Sequence, residues 1–225
     1  MMRRFLRDNS MSIVFLLLFL AALFGQAIAG HADFNDETQS HGDPTISLGR
    51  YVLSSEFGAA VMENWQSEYL QFTLFILLTV WLLQRGSPES KELDKAGRES
   101  DEQQKVGRHA QQNSPRWAKL EGIPRTLYEN SLVLVMTTFW LGTWLAQSLT
   151  GTAQYNADQL DHREDPVSWS HYITTADFWE NTLQNWQSEF LAVGSMAILA
   201  VYLRQRGSPE SKPVGSPHGT TGVEG

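Results

Sequence analysis

The chain has 225 residues, a formal net charge of −8 and no cysteine. The lack of cysteine excludes disulfides and thiolate metal sites, and the acidic balance argues against a nucleic-acid partner, which requires a clustered basic surface. The average composition would suit one or two soluble domains, but the apolar residues are collected into four blocks, which indicates helices that cross a membrane.

The first half of the chain predicts two membrane-spanning helices, at about 11–29 and 66–84. The first block is long enough for the roughly 20 residues that a bilayer requires. The second apolar block is shorter, and it spans only if its helix also includes the polar turn at 64–68. Residues 1–30 also have the layout of a cleavable signal peptide. We interpret them as a retained span, because residues 122–151 have the same layout in the middle of the chain.

The second half predicts two more spans, at about 130–149 and 187–204. Between the two halves, residues 92–121 carry charges of both signs and are expected to form a cytoplasmic linker. Residues 213–225 are rich in Gly, Pro and Ser, so we expect a disordered tail.

Short polar signals predict where the helices begin and end. Asn9 and Asn130 are placed to cap the first helix of each half, and Ser54 and Thr175 are placed to cap the second. The segment 84–89, Gln-Arg-Gly-Ser-Pro-Glu, predicts a helix stop at the glycine and a new helix that begins at Ser-Pro.

One sequence offset relates the two halves. A shift of 121 positions aligns 1–91 with 122–212 without a gap and gives 31 identities in 91 positions. The longest identical runs are Asn-Trp-Gln-Ser-Glu at 64–68 and 185–189, and Gln-Arg-Gly-Ser-Pro-Glu-Ser-Lys at 84–91 and 205–212. We therefore predict an all-α membrane protein with four transmembrane helices, built as two tandem parallel two-helix repeats around a pseudo-twofold axis along the membrane normal.

The basic residues predict the orientation in the membrane. Of the 17 Lys and Arg, 15 lie before the first span, between the second and third, or after the fourth. The two exceptions are Arg50 and Arg163. Because positive charge stays on the cytoplasmic side, both termini and the linker are expected in the cytoplasm.

The repeated Asn-Trp-Gln-Ser-Glu motif is the main candidate site, because acidic groups at the edge of a span are costly unless they face water, a cavity or a partner. In each copy the Asn and the Glu are four residues apart and share one helix face. The candidate residues are Asn64, Gln66, Glu68, Asn185, Gln187 and Glu189. Two interpretations stay open: a polar site formed jointly on the outer side, for example for a cation, or interhelical hydrogen bonds that lock the two repeats together.

Small residues four apart recur in the first helix of each repeat and predict a close helix-packing face. They are Ala21, Gly25, Gly142 and Ala146. The loop histidines match no metal-ligand spacing, so we expect solvated side chains, with no metal site and no cofactor, at His31, His41, His162 and His171.

Four segments carry a resemblance to a known family: Arg-Arg-Phe-Leu-Arg at 3–7, the stretch at 25–31 from Gly-Gln-Ala to Gly-His, Ser-Leu-Gly-Arg-Tyr at 47–51 and Glu-Asn-Trp-Gln-Ser-Glu at 63–68. They resemble an uncharacterised bacterial integral-membrane protein family, known only as a domain of unknown function. The resemblance covers most of the chain outside the linker and tail. It implies an inner (plasma) membrane location and supplies no activity, cofactor or catalytic residue.

No acid-base or metal constellation, phosphate-binding glycine loop or nucleophile motif is evident in the sequence, so we do not expect an enzyme. The leading hypothesis is a non-enzymatic membrane scaffold or partner-binding protein. The alternative is a small transporter or channel for an ion or small polar solute, which four spans would support as a homodimer. The expected partners are the lipid bilayer and a second copy or another membrane protein, without nucleic acid.

Overall fold

The chain is all-helical in a computed structural model, which describes residues 1–223. That part contains no strand, and the predicted all-α class is confirmed. Short 3-10 turns occur in the linker at Gly107–His109 and Arg116–Lys119. The α-helices are α1 (Met2–Asp8), α2 (Ser10–Ser40), α3 (Leu48–Tyr51), α4 (Ser55–Leu78), α5 (Ile123–Glu129), α6 (Ser131–Asp161), α7 (Trp169–Tyr172) and α8 (Ala176–Tyr202).

Two of the described helices, α2 and α6, are long and apolar enough to cross a membrane by length and composition. Each has 31 residues and extends well past the predicted span, through residues that are polar or charged. Most large apolar side chains of α2 are exposed, including Phe15 at 66% and Phe24 at 65%. An apolar helix with so little packing in its own chain is typical of a segment surrounded by lipid.

The starts of α4 and α8 are confirmed. The Ser54 hydroxyl accepts a hydrogen bond from the Phe57 N–H at 3.3 Å, and the Thr175 hydroxyl accepts one from the Phe178 N–H at 3.3 Å. These are N-cap bonds, which satisfy amides that have no partner within the helix. The end of α4 differs from the prediction, because the helix stops at Leu78 instead of 84.

The early end of α4 has a local cause. Thr79 and Val80 are β-branched and poor helix formers. The Val80 carbonyl accepts a hydrogen bond from the Gly97 N–H of the linker at 2.7 Å. A carbonyl bound in this way no longer depends on a helical partner, so the chain can leave the helix at this point.

The predicted caps at Asn9 and Asn130 are not formed as expected. Asn9 makes no side-chain cap bond to α2, and its amide instead donates to the Phe5 carbonyl at 2.9 Å. The Asn130 amide donates to the Thr126 carbonyl at 2.7 Å. Each asparagine follows a short helix, α1 or α5, whose last carbonyls need donors, and its side chain satisfies one of them.

The loops after α2 and α6 are closed by the same bonds. The Asn35 amide donates to the Ile46 carbonyl at 3.1 Å and its oxygen accepts from the Ile46 N–H at 2.8 Å. Asn156 makes the same two bonds with Val167, at 3.0 and 2.8 Å. The two pairs are 121 positions apart in the sequence. The side chain of each asparagine thus bonds to both backbone groups of one loop residue, and so holds the loop against the helix that precedes it.

The described residues group into two compact units. The first consists of Met1–Val61 with Ala146–Tyr172, and the second of Met62–Leu145 with the residues from Ile173 onward. The second unit contains an aromatic cluster around Trp144. Its ring centroid lies 5.9 Å from that of Trp140, 5.7 Å from that of Trp186 and 6.3 Å from that of Phe178.

The first unit is packed around two tyrosines, Tyr51 and Tyr172, which are 5% and 3% exposed. A Cβ added at Gly151 would lie 2.6 Å from the Tyr172 hydroxyl, and one added at Gly30 would meet the Tyr51 hydroxyl in the same way. Only glycine leaves room for these rings at such short range. Close approaches to a tyrosine therefore occur at Gly30 and Gly151, and Gly58 of α4 also lies close to α6, where an added Cβ would be 3.0 Å from the Thr150 side chain.

Within the described residues, none of the four small residues of the predicted packing face is buried. Ala21, Gly25 and Gly142 are exposed and Ala146 is half-exposed. Within the described residues, nothing lies within 4 Å of a Cβ built on Gly25 or Gly142, apart from the local helix backbone. The pattern of small residues marked a part of the helix surface that lacks large side chains. The glycines in close contact with a tyrosine, Gly30 and Gly151, lie one or two turns further along their helices.

The tail differs from the disordered segment that its composition predicts. Residues 213–223 form turns, and the Thr221 hydroxyl accepts a hydrogen bond from the Gly86 N–H at 2.9 Å. The Gly222 N–H donates to the Ser87 carbonyl at 3.0 Å. Residues 224–225 of the predicted tail lie outside the described residues.

Candidate functional site

Gln66 and Trp186 join α4 to α8 within the second unit. Gln66 is fully buried, and its side-chain oxygen accepts a hydrogen bond from the Trp186 indole N–H at 2.8 Å. A buried amide needs such partners, because an unpaired polar group away from water costs about 1–3 kcal/mol. The bond connects the two copies of the Asn-Trp-Gln-Ser-Glu motif.

A second bond joins the same two motifs. The Ser67 hydroxyl is within hydrogen-bond distance of both the Asn64 carbonyl, at 2.9 Å, and the Glu189 carboxylate, at 3.3 Å. Ser67 is 1% exposed, while Glu189 is partly buried. The serine was outside the predicted set of site residues, although it lies inside the repeated motif.

The other candidate residues are less buried. Asn64, Glu68 and Gln187 are exposed, although Glu68 is close enough to Glu189 for its charge to act on that carboxylate. The Asn185 amide donates to the Asn181 carbonyl of its own helix at 2.8 Å. Gln66 is buried, whereas its repeat equivalent Gln187 is exposed. The two motifs therefore do not occupy equivalent environments. The structure brings Gln66 and Glu189 together with Ser67 and Trp186, and it places Glu68 near Glu189.

Several buried polar atoms near this junction have no hydrogen-bond partner among the described residues. They are the Gln66 amide nitrogen, the Thr182 hydroxyl and the Trp144 indole nitrogen. Trp144 packs against Trp186, which binds Gln66, and Thr182 lies one turn before Trp186 on α8. Such a group of donors in an apolar setting is suited to hold water or a small polar solute.

The Gln-Arg-Gly-Ser-Pro-Glu-Ser-Lys segments form two loops with the same bonds, and the expected helix start after the glycine is wrong. Gly86 and Gly207 adopt left-handed conformations, with φ of 86° and 80°, after the helices have already ended. The Ser90 hydroxyl accepts from the Gln84 N–H at 2.9 Å, and Ser211 accepts from the Gln205 N–H at 2.9 Å. We call these the inner loops, 84–91 and 205–212.

A lysine closes each inner loop by binding a backbone carbonyl six residues further on. The Lys91 ammonium donates to the Gly97 carbonyl at 2.7 Å, and the Lys212 ammonium donates to the His218 carbonyl at 2.6 Å. Lys212 is 1% exposed, and burial, followed by the charge of Arg204, lowers its pKa below the usual range. The lysines therefore act as structural clamps.

The inner loops meet at a pair of carboxyls. Burial, then the hydrogen bond with Glu210 and the negative charge of that group, raises the pKa of Glu89 from 4.5 to about 7. Glu89 and Glu210 are repeat equivalents, 121 positions apart. Two carboxyls in contact favour sharing a proton, because like charges at this range disfavour double ionisation.

Two cavities in the second unit meet at Glu89. The first, of about 430 Å³, lies between α4 and α8 and has mainly apolar walls. The second, of about 560 Å³, is polar and lies between the first inner loop and the linker. Glu89 and Ser90 line both cavities. Sequence reasoning missed this site because the motif was assigned to a helix stop, although eight identical residues in each copy exceed what a helix stop requires.

The first unit contains a separate group of acids around Glu56. Burial raises the pKa of Glu56 above its usual value, and the negative charges of Asp158, Glu37 and Asp33 add to that effect. His31 is not solvated as expected, because it is half-buried and its ring nitrogen lies 2.7 Å from the Ile46 carbonyl. It forms part of the loop closure around Asn35.

The fold and the site define an all-helical protein with two helices suited to cross a membrane and a polar junction between two others. The chain belongs to the family described as Domain of unknown function (DUF6766), whose model matches residues 2–223. This confirms the resemblance to an uncharacterised family. Neither the curated proteins nor the solved structures contain a match to the chain.

Proposed function

We propose that this chain is a multi-pass protein of the inner membrane with four spanning helices, α2, α4, α6 and α8, arranged as two tandem parallel repeats. The apolar lengths of α2 and α6 support two of the spans. The 15 of 17 basic residues on one side support cytoplasmic termini. The asparagine-closed loops and the lysine-closed inner loops, each present twice at the same offset, support the duplication.

Its function in this proposal is non-enzymatic: it is a scaffold that holds its helices in a fixed arrangement and presents them to a partner in the membrane. The observation that carries the proposal is the junction of α4 and α8. The polar groups of the repeated motif are used to join these helices, through Gln66 with Trp186 and Ser67 with Glu189. Interhelical hydrogen bonds of this kind stabilise helix association in lipid.

The second candidate function is a small transporter for an ion or small polar solute. The unpartnered Gln66 amide nitrogen and Thr182 hydroxyl favour it, because they are buried and suited to bind such a solute. In this case Glu189 would contribute charge next to the junction.

Uptake by proteoliposomes separates the two functions. Full-length protein would be reconstituted and tested with Na⁺, K⁺, protons and small amines, beside a Glu189→Gln variant and protein-free vesicles. The scaffold proposal predicts the same uptake in all three preparations. Uptake above protein-free vesicles that the Glu189→Gln variant loses would contradict the scaffold and establish transport.

A further inference from the structure

The apolar cavity between α4 and α8 has the form of a groove suited to a hydrocarbon chain. Its walls are long apolar side chains, such as Leu74, Leu78 and Phe190, and its lining also includes the small residues Gly194 and Ala197. The volume of about 430 Å³ lies within the range of about 300–1,000 Å³ that is typical of small-molecule sites. No side chain of the described residues lies within 4 Å of a Cβ built on Gly194, so the groove has open space at this residue.

The polar cavity beyond Glu89 carries charges of both signs. Its cationic lining residues are Lys91, Lys95 and Arg98, and its anionic ones are Glu89, Glu92, Asp94 and Glu99. The apolar groove and this polar cavity share Glu89 and Ser90, so an apolar and a polar cavity adjoin each other at these two residues. An apolar chain joined to a headgroup of mixed charge fits such a pair of cavities.

We propose that the two cavities form a binding site for one bilayer phospholipid whose zwitterionic headgroup carries a primary amine. One acyl chain would occupy the groove between α4 and α8, and the ammonium would lie beside Glu89 and Glu210. The phosphate would face Arg98 of the polar cavity. The other two cationic residues, Lys91 and Lys95, form ion pairs with Glu99 and Glu92. The inference rests on the proposed membrane architecture, because only a membrane-embedded groove is exposed to such lipids.

The carboxyl pair selects the amine. When both Glu89 and Glu210 are ionised they repel each other, and a cation placed between them relieves that repulsion. A primary ammonium offers three hydrogen-bond donors, and a quaternary ammonium offers none. An anionic headgroup would add to the negative charge. A lipid with a primary amine is therefore preferred over both alternatives.

Native mass spectrometry of the full-length protein in detergent tests the site directly. The protein would be mixed with phosphatidylethanolamine, phosphatidylcholine or phosphatidylglycerol of identical acyl chains, and bound lipid would be counted. We expect one retained phosphatidylethanolamine, with roughly tenfold weaker retention of the other two, the size of one lost charge-assisted hydrogen bond.

Two substitutions probe the two halves of the site. Gly194→Phe places a ring in the groove and should abolish retention, whereas the matched control Gly142→Phe, on an equally open helix surface, should keep it. Glu89→Gln should remove the preference for the primary amine, and the control Glu121→Gln, at an exposed linker position, should leave it unchanged.

The pH dependence of retention provides a test that requires no variant. Retention of phosphatidylethanolamine should rise between pH 6 and 8, as Glu89 loses its proton. The charged groups around Glu89 are Glu210 from the second inner loop and, from the cavity, Lys91, Glu92, Asp94, Lys95, Arg98 and Glu99. Of these, Glu89 is the group whose pKa is raised to about 7.

Three results would overturn the lipid site. They are equal retention of all three lipids, equal retention by Gly194→Phe and Gly142→Phe, and retention that does not change with pH. Occupation of the groove by a second copy of the chain would appear as a dimer that Gly194→Phe dissociates, and would also overturn it. None of these results would contradict the scaffold proposal, which instead fails if solute uptake is observed.

Discussion

Glu89 lies beside Glu210, its repeat equivalent 121 positions further along the chain, and burial together with this neighbouring carboxyl raises the pKa of Glu89 to about 7. Neither residue belongs to a helix, and the contact joins the two inner loops that follow α4 and α8. Because one of two adjacent carboxyls is best protonated, this contact makes the stability of the inner loops depend on pH near neutrality.

Because Glu89 lies beside Glu210, we expect the protein to become less stable as the pH rises. The folded-state pKa of Glu89, about 7, lies above the ordinary 4.5, so its stabilising contribution is complete below 4.5 and is lost as the pH rises through 7. Thermal unfolding in detergent at pH 5 and pH 8 measures this. We expect Glu89→Gln to be more stable than the wild type at pH 8, by on the order of 1–2 kcal/mol after solvent screening, with a smaller loss between the two pH values.

Glu121→Gln is the matched control for that experiment, because Glu121 is exposed. It should show the pH dependence of the wild type. If the stabilities of Glu89→Gln and Glu121→Gln depend on pH in the same way, Glu89 and Glu210 do not share a proton.

The bond between Gln66 and Trp186 should be coupled energetically. Trp186→Phe removes the indole donor and leaves the fully buried Gln66 oxygen without it, which should cost about 1–3 kcal/mol of unfolding free energy. The double variant Trp186→Phe with Gln66→Leu should lose less unfolding free energy than the sum of the losses of the two single variants. The control is Gln187→Leu, at the exposed repeat equivalent of Gln66, which should change the melting temperature little. Additive effects would show that the bond contributes no stability.

Gly151 should not tolerate a methyl group. Gly151→Ala places its Cβ 2.6 Å from the Tyr172 hydroxyl and should cost about 1–3 kcal/mol by overpacking. Gly142→Ala has open space and should stabilise the helix by up to about 1 kcal/mol. Tyr172→Phe removes the clashing hydroxyl, so it should restore much of the stability of Gly151→Ala. Thermal unfolding of the four proteins decides this, and a neutral Gly151→Ala would contradict the packing.

The sequence correctly predicted features that depend on residues close together in the chain. The N-caps at Ser54 and Thr175 depend on residues three positions away, and both were predicted. The packing glycines could not be found in this way, because Gly25 and Gly30 are both small residues of α2. Only the path of the chain after α2 brings Tyr51 against one of them.

The inner loops show the same limit for the candidate site. Ser90 binds the chain six residues earlier, and Thr221 binds Gly86 across most of the sequence, so neither bond follows from a local pattern. The repeat predicted equal roles for Gln66 and Gln187, but burial separates them. A duplicated sequence fixes which residues recur and leaves open which copy becomes buried.

Cysteine accessibility tests the four-span membrane architecture most directly, because the chain contains no cysteine of its own. Single changes would be made at exposed positions near the ends of α2 and α6, in the linker and in the tail: Gln39→Cys, Asp161→Cys, Gln103→Cys and Val214→Cys. An impermeant maleimide should label the cysteines at 39 and 161 in intact cells, and those at 103 and 214 only after lysis. Labelling of positions 39 and 103 from the same side would show that α4 does not cross the membrane and would contradict the four-span architecture.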